Sequence, residues 1–220
     1  MIEVIIKEEL KEKCPSVAIG SIEAYVTVTG GSEELWATID EKCAEIQSTY
    51  KPEDILNIEN IDSSRRAYKT LGKDPSRYRL SSESLVKRIV KGNELYKVNN
   101  VVDINNLISL TSCYSVGTYD LDKIEGNIYF TVGREGETYE GIGRGLINLE
   151  NIPLFTDDKG HFGSTTSDST RAMITSETSH ILLNIISFNG DNVLKQYMDY
   201  GINLLENYAR GKIIGIKVFS

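Results

Sequence analysis

Apolar periodicity changes character along this chain. Between Ser32 and Leu110 hydrophobic residues recur at helical spacing, whereas from Asn127 to Phe188 they fall into short, β-branched and aromatic runs with a period near two. A parallel α/β sheet needs strand and helix to alternate throughout. Segregated helical and strand-like blocks instead predict the α+β class.

The individual elements follow from local chemistry. "IEVII" at 2–6 and "IEAYVTV" at 22–28 read as strands. A helix is predicted from Ser32, a capping residue followed by Glu33 and Glu34, with Leu35, Trp36, Ile39, Cys43 and Ile46 on one face. A second runs from about Ile55 to Leu71 and stops at Gly72. "GKDPSRYR" then turns, because Asp74 before Pro75 is biased away from helix. Ser82 is expected to cap a third helix with Leu85, Ile89 and Val90 inward, and Gly92 to end it. Asp103 is expected to cap a fourth, with Ile104, Leu107 and Ile108 inward. "NIYFTVGREGETYEGIG" reads as a hairpin closed at "GREG"; strands follow at "IPLFT" and "HILLNIISF". A helix over about 192–209 and a final strand, "KIIGIKVFS", complete the reading.

Length bounds the rest. At 220 residues the chain suits one domain, residues 1–220. No apolar run approaches the ~18 residues that cross a bilayer, and the N-terminus turns charged too early for a signal peptide, so a cytoplasmic location and no membrane partner are expected. Cys14, Cys43 and Cys113 are too scattered for a disulfide framework or a metal knuckle. With only His161 and His180 as imidazoles, neither a metal nor another cofactor is expected.

Charge is unevenly spread. The formal net charge is -8, yet Ser64–Val98 holds ten Lys or Arg against three acids. Clustered cations of this kind suit a polyanion, because they neutralise phosphates and release counterions. Equally, they suit a solvated helix face whose arginines pair with carboxylates; Arg77, Arg79 and Glu83 are close enough in sequence for such a network.

"GREGETYEGIGRG" lacks the Gly-Lys-Ser/Thr ending of a phosphate loop, and no Gly-x-Ser-x-Gly elbow occurs. "DLD" at 120–122 fits a turn. The loop "GSTTSDSTRAMITSET" gathers Thr165, Thr166, Ser167, Asp168 and Arg171. Hydroxyls, backbone amides and a guanidinium around a small cavity suit an ester carbonyl or an ammonium group. The alternative is a hydroxyl-rich turn in which Asp168 and Arg171 pair with each other.

"RRAYKTLGKDPSRYRLSSESLVKRIVKG", "NNVVDINNLISLTSCYSVGTYDLDKIEG", "GREGETYEGIG" and "TSDSTRAMITSETSHILL", in that order, resemble the tRNA-editing domain of the bacterial phenylalanyl-tRNA synthetase beta subunit, above all its free-standing versions. The likeness covers roughly Arg65–Phe188. It implies a β-sandwich-like core of mixed sheets with flanking helices, an internal pocket, and hydrolysis of an amino acid wrongly esterified to tRNA. Nothing resembles the synthetase's catalytic modules, so aminoacylation is not implied. Asn106 matches a pocket asparagine of the family. Two positions depart from it: Gly117 stands where synthetases commonly have a histidine, and Asn184 where they place a glutamate that senses the tyrosine hydroxyl.

The resemblance therefore implies a tRNA-binding protein and a trans-acting aminoacyl-tRNA deacylase. Asn106, Thr166, Ser167, Asp168, Arg171 and Asn184 would surround the ester, while Arg65, Arg66, Arg77, Arg79, Lys87 and Arg88 would hold the RNA. A protein base is not obligatory, since an aminoacyl ester is already activated and the neighbouring ribose hydroxyl can take part. A module that binds tRNA or an amino acid without hydrolysis is the alternative.

Overall fold

Strand β9, His180–Ser187, lies inside the molecule and has two buried faces. Ile181, Leu183 and Ile185 enter one apolar cluster; Leu182 and Ile186 enter another. That is why it reads as a continuous apolar run. The computed structural model describes residues 1–220. Its architecture is α+β, with two four-stranded sheets, a separate hairpin and six α-helices.

The first sheet has the order β1 (Val4–Ile6), β4 (Ile128–Val132), β7 (Pro153–Asp157) and β8 (Gly160–Ser164). It is mixed: β1 pairs with β4 in parallel, and the remaining pairs are antiparallel. The second, wholly antiparallel, has the order β10 (Lys212–Phe219), β2 (Ala18–Tyr25), β9 and β3 (Ser115–Asp120). Phe130, Phe155 and Phe162 of the first sheet meet Ile19, Tyr119, Leu182 and Ile186 of the second in one buried cluster. Face-to-face packing of this kind is the expected sandwich.

Helices cover the other face of the second sheet. Helices α2 (Glu33–Thr49), α4 (Ser81–Val90), α5 (Asn100–Ser112) and α6 (Leu194–Ala209) contribute to the larger cluster with Ile22, Val116, Leu183 and Ile185. The short α1 (Glu8–Lys13) and α3 (Glu59–Leu71) flank the inter-sheet core through Leu10, Ala67 and Leu71.

Several local expectations are met. Ser32 accepts from Leu35 N and caps α2, and Gly72 ends α3 in the left-handed region, φ 91°. Others need correction. Helix α4 starts two residues earlier, after Leu80, and Ser82 sits buried inside it with its Oγ unpartnered. Its buried apolar residues are Val86 and Ile89, while Leu85 and Val90 are only partly covered. The cap of α5 is Asn99, accepting from Val102 N; Asp103 is buried and accepts instead from Trp36 Nε1 and Val98 N. The strand expected at 22–28 lies at Ala18–Tyr25, and β8 falls in a stretch read as loop.

The hairpin at "GREG" does not form. Strand β4 pairs with β1 and β7, while β5 (Thr138–Gly141) pairs with β6 (Gly145–Asn148). Gly133 N instead donates to Ile152 O, and Gly133 lies so close to Leu149 that an added Cβ would stand 2.1 Å from its carbonyl oxygen. The chain therefore leaves the first sheet at Gly133. The tight turn falls at 142–144, where Gly143 and Gly145 have φ of 66° and 67°.

Candidate nucleic-acid interface

The basic segment is organised by one buried acid. Glu83 is wholly inaccessible in α4, and its carboxylate meets Arg65 Nη1 at 2.8 Å, Arg79 Nε at 3.5 Å and Lys87 Nζ. Arg65 also donates to Pro75 O and Ser76 Oγ, so it clamps α3 and the 73–80 turn onto α4. A carboxylate surrounded by three cations leaves a local positive excess. Arg66 pairs with Asp62 one turn away on α3. Arg88 lies over the Tyr96 ring, and its Nε donates to Glu94 O. Arg77 is exposed and has no carboxylate partner. The arginines therefore divide: Arg65 is structural, Arg77 is free, and Arg79 is 47% exposed while still touching Glu83.

Beside this corner opens a cleft of about 430 Å³. Arg77, Tyr78, Arg79 and Ser84 form one wall, and the β5–β6 hairpin supplies Arg144, Leu146, Ile147 and Asn148 as the other. Thr166 joins the lining, and no acid is among these residues. Arg144 was not anticipated from the sequence. A cation between two glycines at the tip of "GIGRG" was the available signal, hidden by assigning the turn to "GREG".

The hydroxyl loop lies behind Thr166. The Oγ1 atoms of Thr165 and Thr166 sit 2.5 and 2.8 Å from the Tyr68 hydroxyl, and Tyr68 is fully buried. Burial pushes that phenol up to about 12, so it keeps its proton at neutral pH. Ser164 Oγ accepts from Thr166 N and Ser167 N and donates to Ser167 O, to which the Tyr139 hydroxyl also donates. The loop is thus pre-organised by its own hydroxyls.

The other sequence-predicted residues have separate surroundings. Asp168 Oδ1 accepts from the Tyr119 hydroxyl at 2.9 Å and Ser164 N at 3.1 Å, and burial raises its pKa to about 6. Arg171 does not pair with it. Arg171 makes a bidentate pair with Asp157 at 2.8 and 3.1 Å and also donates to Gly160 O and Lys123 O. Asn184 is fully buried between the sheets; its Oδ1 accepts from Ser21 Oγ and its Nδ2 has no partner. It pairs in register with Gly117, and the space in front of Gly117 holds the Tyr119 ring: an added Cβ at either Gly117 or Gly163 would stand 2.2 Å from the Tyr119 hydroxyl. Asn106, half-buried on α5, hydrogen-bonds only with its neighbour Asn105. Of the residues expected around an ester, the cleft itself is lined by Thr166.

His161 and His180 are paired with Glu137 and Glu23. No group of three or more metal-binding side chains occurs, and no helix is long and apolar enough to cross a membrane. What the arrangement offers is three guanidiniums and a fixed hydroxyl lining one cleft, a set of donors suited to phosphate and ester oxygens.

The phenylalanine–tRNA ligase beta subunit of Fusobacterium nucleatum is 28% identical over 124 residues, 55% of this chain and 15% of that subunit. That of Neisseria meningitidis serogroup B is 28% identical over 83 residues, 37% of this chain and 10% of that subunit. The chain therefore matches only a small part of either relative's length. A crystal structure of an N-terminal fragment of the Pyrococcus horikoshii phenylalanyl-tRNA synthetase beta subunit superposes with a TM-score of 0.49 at 15% identity, covering 96% of this chain and 50% of that one. The model of the B3/4 domain matches residues 63–210. Since this match takes in more than half of the sequence, the chain belongs to the B3/4 domain family.

Proposed function

We propose that the chain, acting as one domain in the cytoplasm, binds the acceptor end of a tRNA in the Arg77–Arg79–Arg144 cleft and hydrolyses a mischarged aminoacyl ester there. The observation that carries this reading is the presence of Thr166 in the same cleft as the three guanidiniums. The arginines would neutralise phosphates next to the terminal nucleotide. If Tyr68 donates to Thr166 Oγ1, the threonine proton is free to point into the cleft, towards an ester carbonyl. Water would then add to the carbonyl carbon as negative charge grows on its oxygen. The ester C–O bond breaks, the ribose oxygen takes one of the water's protons, the other passes to solvent, and the amino acid leaves as its carboxylate. No protein base is required for so activated an ester, and the ribose's second hydroxyl can relay the proton.

A second reading, binding without hydrolysis, is favoured by the commitments of Asp168, Arg171 and Asn184 to partners outside the cleft. A panel of mischarged tRNAs incubated with the wild type and with Thr166→Val separates the two. The deacylase reading predicts ester loss above the uncatalysed rate, falling about a hundredfold in Thr166→Val while tRNA affinity is kept. Ester loss at the uncatalysed rate across the panel, with tRNA still bound, leaves the binding module.

A further inference from the structure

The cleft has a neighbour on the other side of Arg79. A second depression, about 320 Å³, shares Arg79 and Ser84 with the first, so the two adjoin at these side chains. Lys87, Arg88 and Lys91 line this second arm, and no acid does. The ten residues of α4 run about 15 Å, with Ser84, Lys87, Arg88 and Val90 on the second depression. Tyr96, 70% exposed, is not part of this lining but touches it through Arg88. The Arg88 guanidinium lies 4.1 Å from the Tyr96 ring centroid and is fixed there by its bond to Glu94 O. The ring thus carries a cation on one face while most of the residue is open to water.

We infer that this second arm binds unpaired RNA, with phosphates along Lys87, Arg88 and Lys91 and a nucleobase stacked on Tyr96. Cations alone would serve any polyanion. A tyrosine held in water with a guanidinium against it adds a surface that a flat, unpaired base fills, and a duplex keeps its base faces hidden. The inference rests on the RNA-binding half of the reading above and is independent of hydrolysis: the nucleotides preceding the one in the Thr166 cleft would lie in this arm.

Fluorescence anisotropy with labelled single-stranded oligoribonucleotides of about 4–16 nucleotides, and with a blunt RNA duplex of matching length, tests it. The single strand is expected to bind more tightly than the duplex. Tyr96→Ala should weaken single-strand binding about tenfold and leave duplex binding unchanged, and Tyr96→Phe should retain wild-type affinity. Equal affinity for the two RNAs, or a Tyr96→Ala affinity equal to wild type, overturns the inference. Hydrolysis of mischarged tRNA together with Tyr96-independent RNA affinity sinks this inference alone. Tyr96-dependent binding without hydrolysis sinks the deacylase reading alone.

Discussion

Asp168 holds two elements together through a single oxygen. Its Oδ1 accepts both the Tyr119 hydroxyl and the Ser164 amide, so the side chain ties β3 to the hydroxyl loop. An asparagine can accept the same two bonds without carrying a charge. Burial raises the Asp168 pKa from 3.8 to about 6, so the fold favours the protonated acid. The sign of the linkage follows. This carboxyl supports the folded state fully below its unfolded pKa, and that contribution is lost as pH rises from about 4 through about 6. Relative to the wild type, Asp168→Asn should therefore gain stability over that interval and hold a constant advantage at pH 7–8. Urea denaturation of both proteins across pH 4–8 measures this. A difference independent of pH would remove the burial argument.

Strand β3 shows how an element acquires a feature that periodicity cannot reveal. Gly117 and Tyr119 are two residues apart and so share a face, and the ring folds back over the glycine towards Gly163 of β8. The ring has little room to yield: Phe155 and Phe162 pack at centroid distances of 5.4 and 4.9 Å, and its hydroxyl is bound to Asp168. Gly117→Ala should therefore cost about 1–3 kcal/mol through overpacking. In a Tyr119→Leu background the same change should cost little, since alanine suits a strand better than glycine. Denaturation of the two single variants and the double variant gives the coupling, expected at about 1–3 kcal/mol; additive effects would sink the argument. The sequence displayed Gly117 as a departure from its family, while the occupant of the space was a residue with no signal of its own. The same limit applies elsewhere. The segregated α and β blocks, the Ser32 cap, the Gly72 stop and the basic segment were legible, because each depends on local chemistry or composition. The partner of β4, the commitment of Arg171 to Asp157 and the arrival of Arg144 opposite Arg77 depend on contacts between distant segments. Gly133 punctuates a change of sheet in just the way that it would punctuate a hairpin.

Across the whole molecule, an acidic protein of net charge -8 carries one basic corner in which a single buried acid, Glu83, holds Arg65, Arg79 and Lys87. Arg65 and Arg77 lie in the same basic segment, but they do different work. The Arg65 side chain is 12% exposed and bound to Glu83, so it reaches little solvent, whereas Arg77 and Arg144 are exposed across the cleft from each other. Salt dependence separates the roles, because each phosphate neutralised contributes about 0.7–0.9 to the slope of log affinity against log salt. Arg77→Ala and Arg144→Ala should each weaken tRNA binding for every tRNA tested and lower that slope by about one, with urea midpoints unchanged. Arg65→Ala should lower the unfolding free energy by about 1–3 kcal/mol for the lost charge-assisted bond, seen as a lower urea midpoint, and leave the slope unchanged. Binding titrations over a range of salt, run beside denaturation of the same three variants, give both quantities. If Arg65→Ala lowers the slope as far as Arg77→Ala does, the buried clamp is itself part of the RNA contact. If neither cleft arginine alters the slope, RNA binds elsewhere on the surface, and the coincidence of three guanidiniums with Thr166 loses its functional meaning.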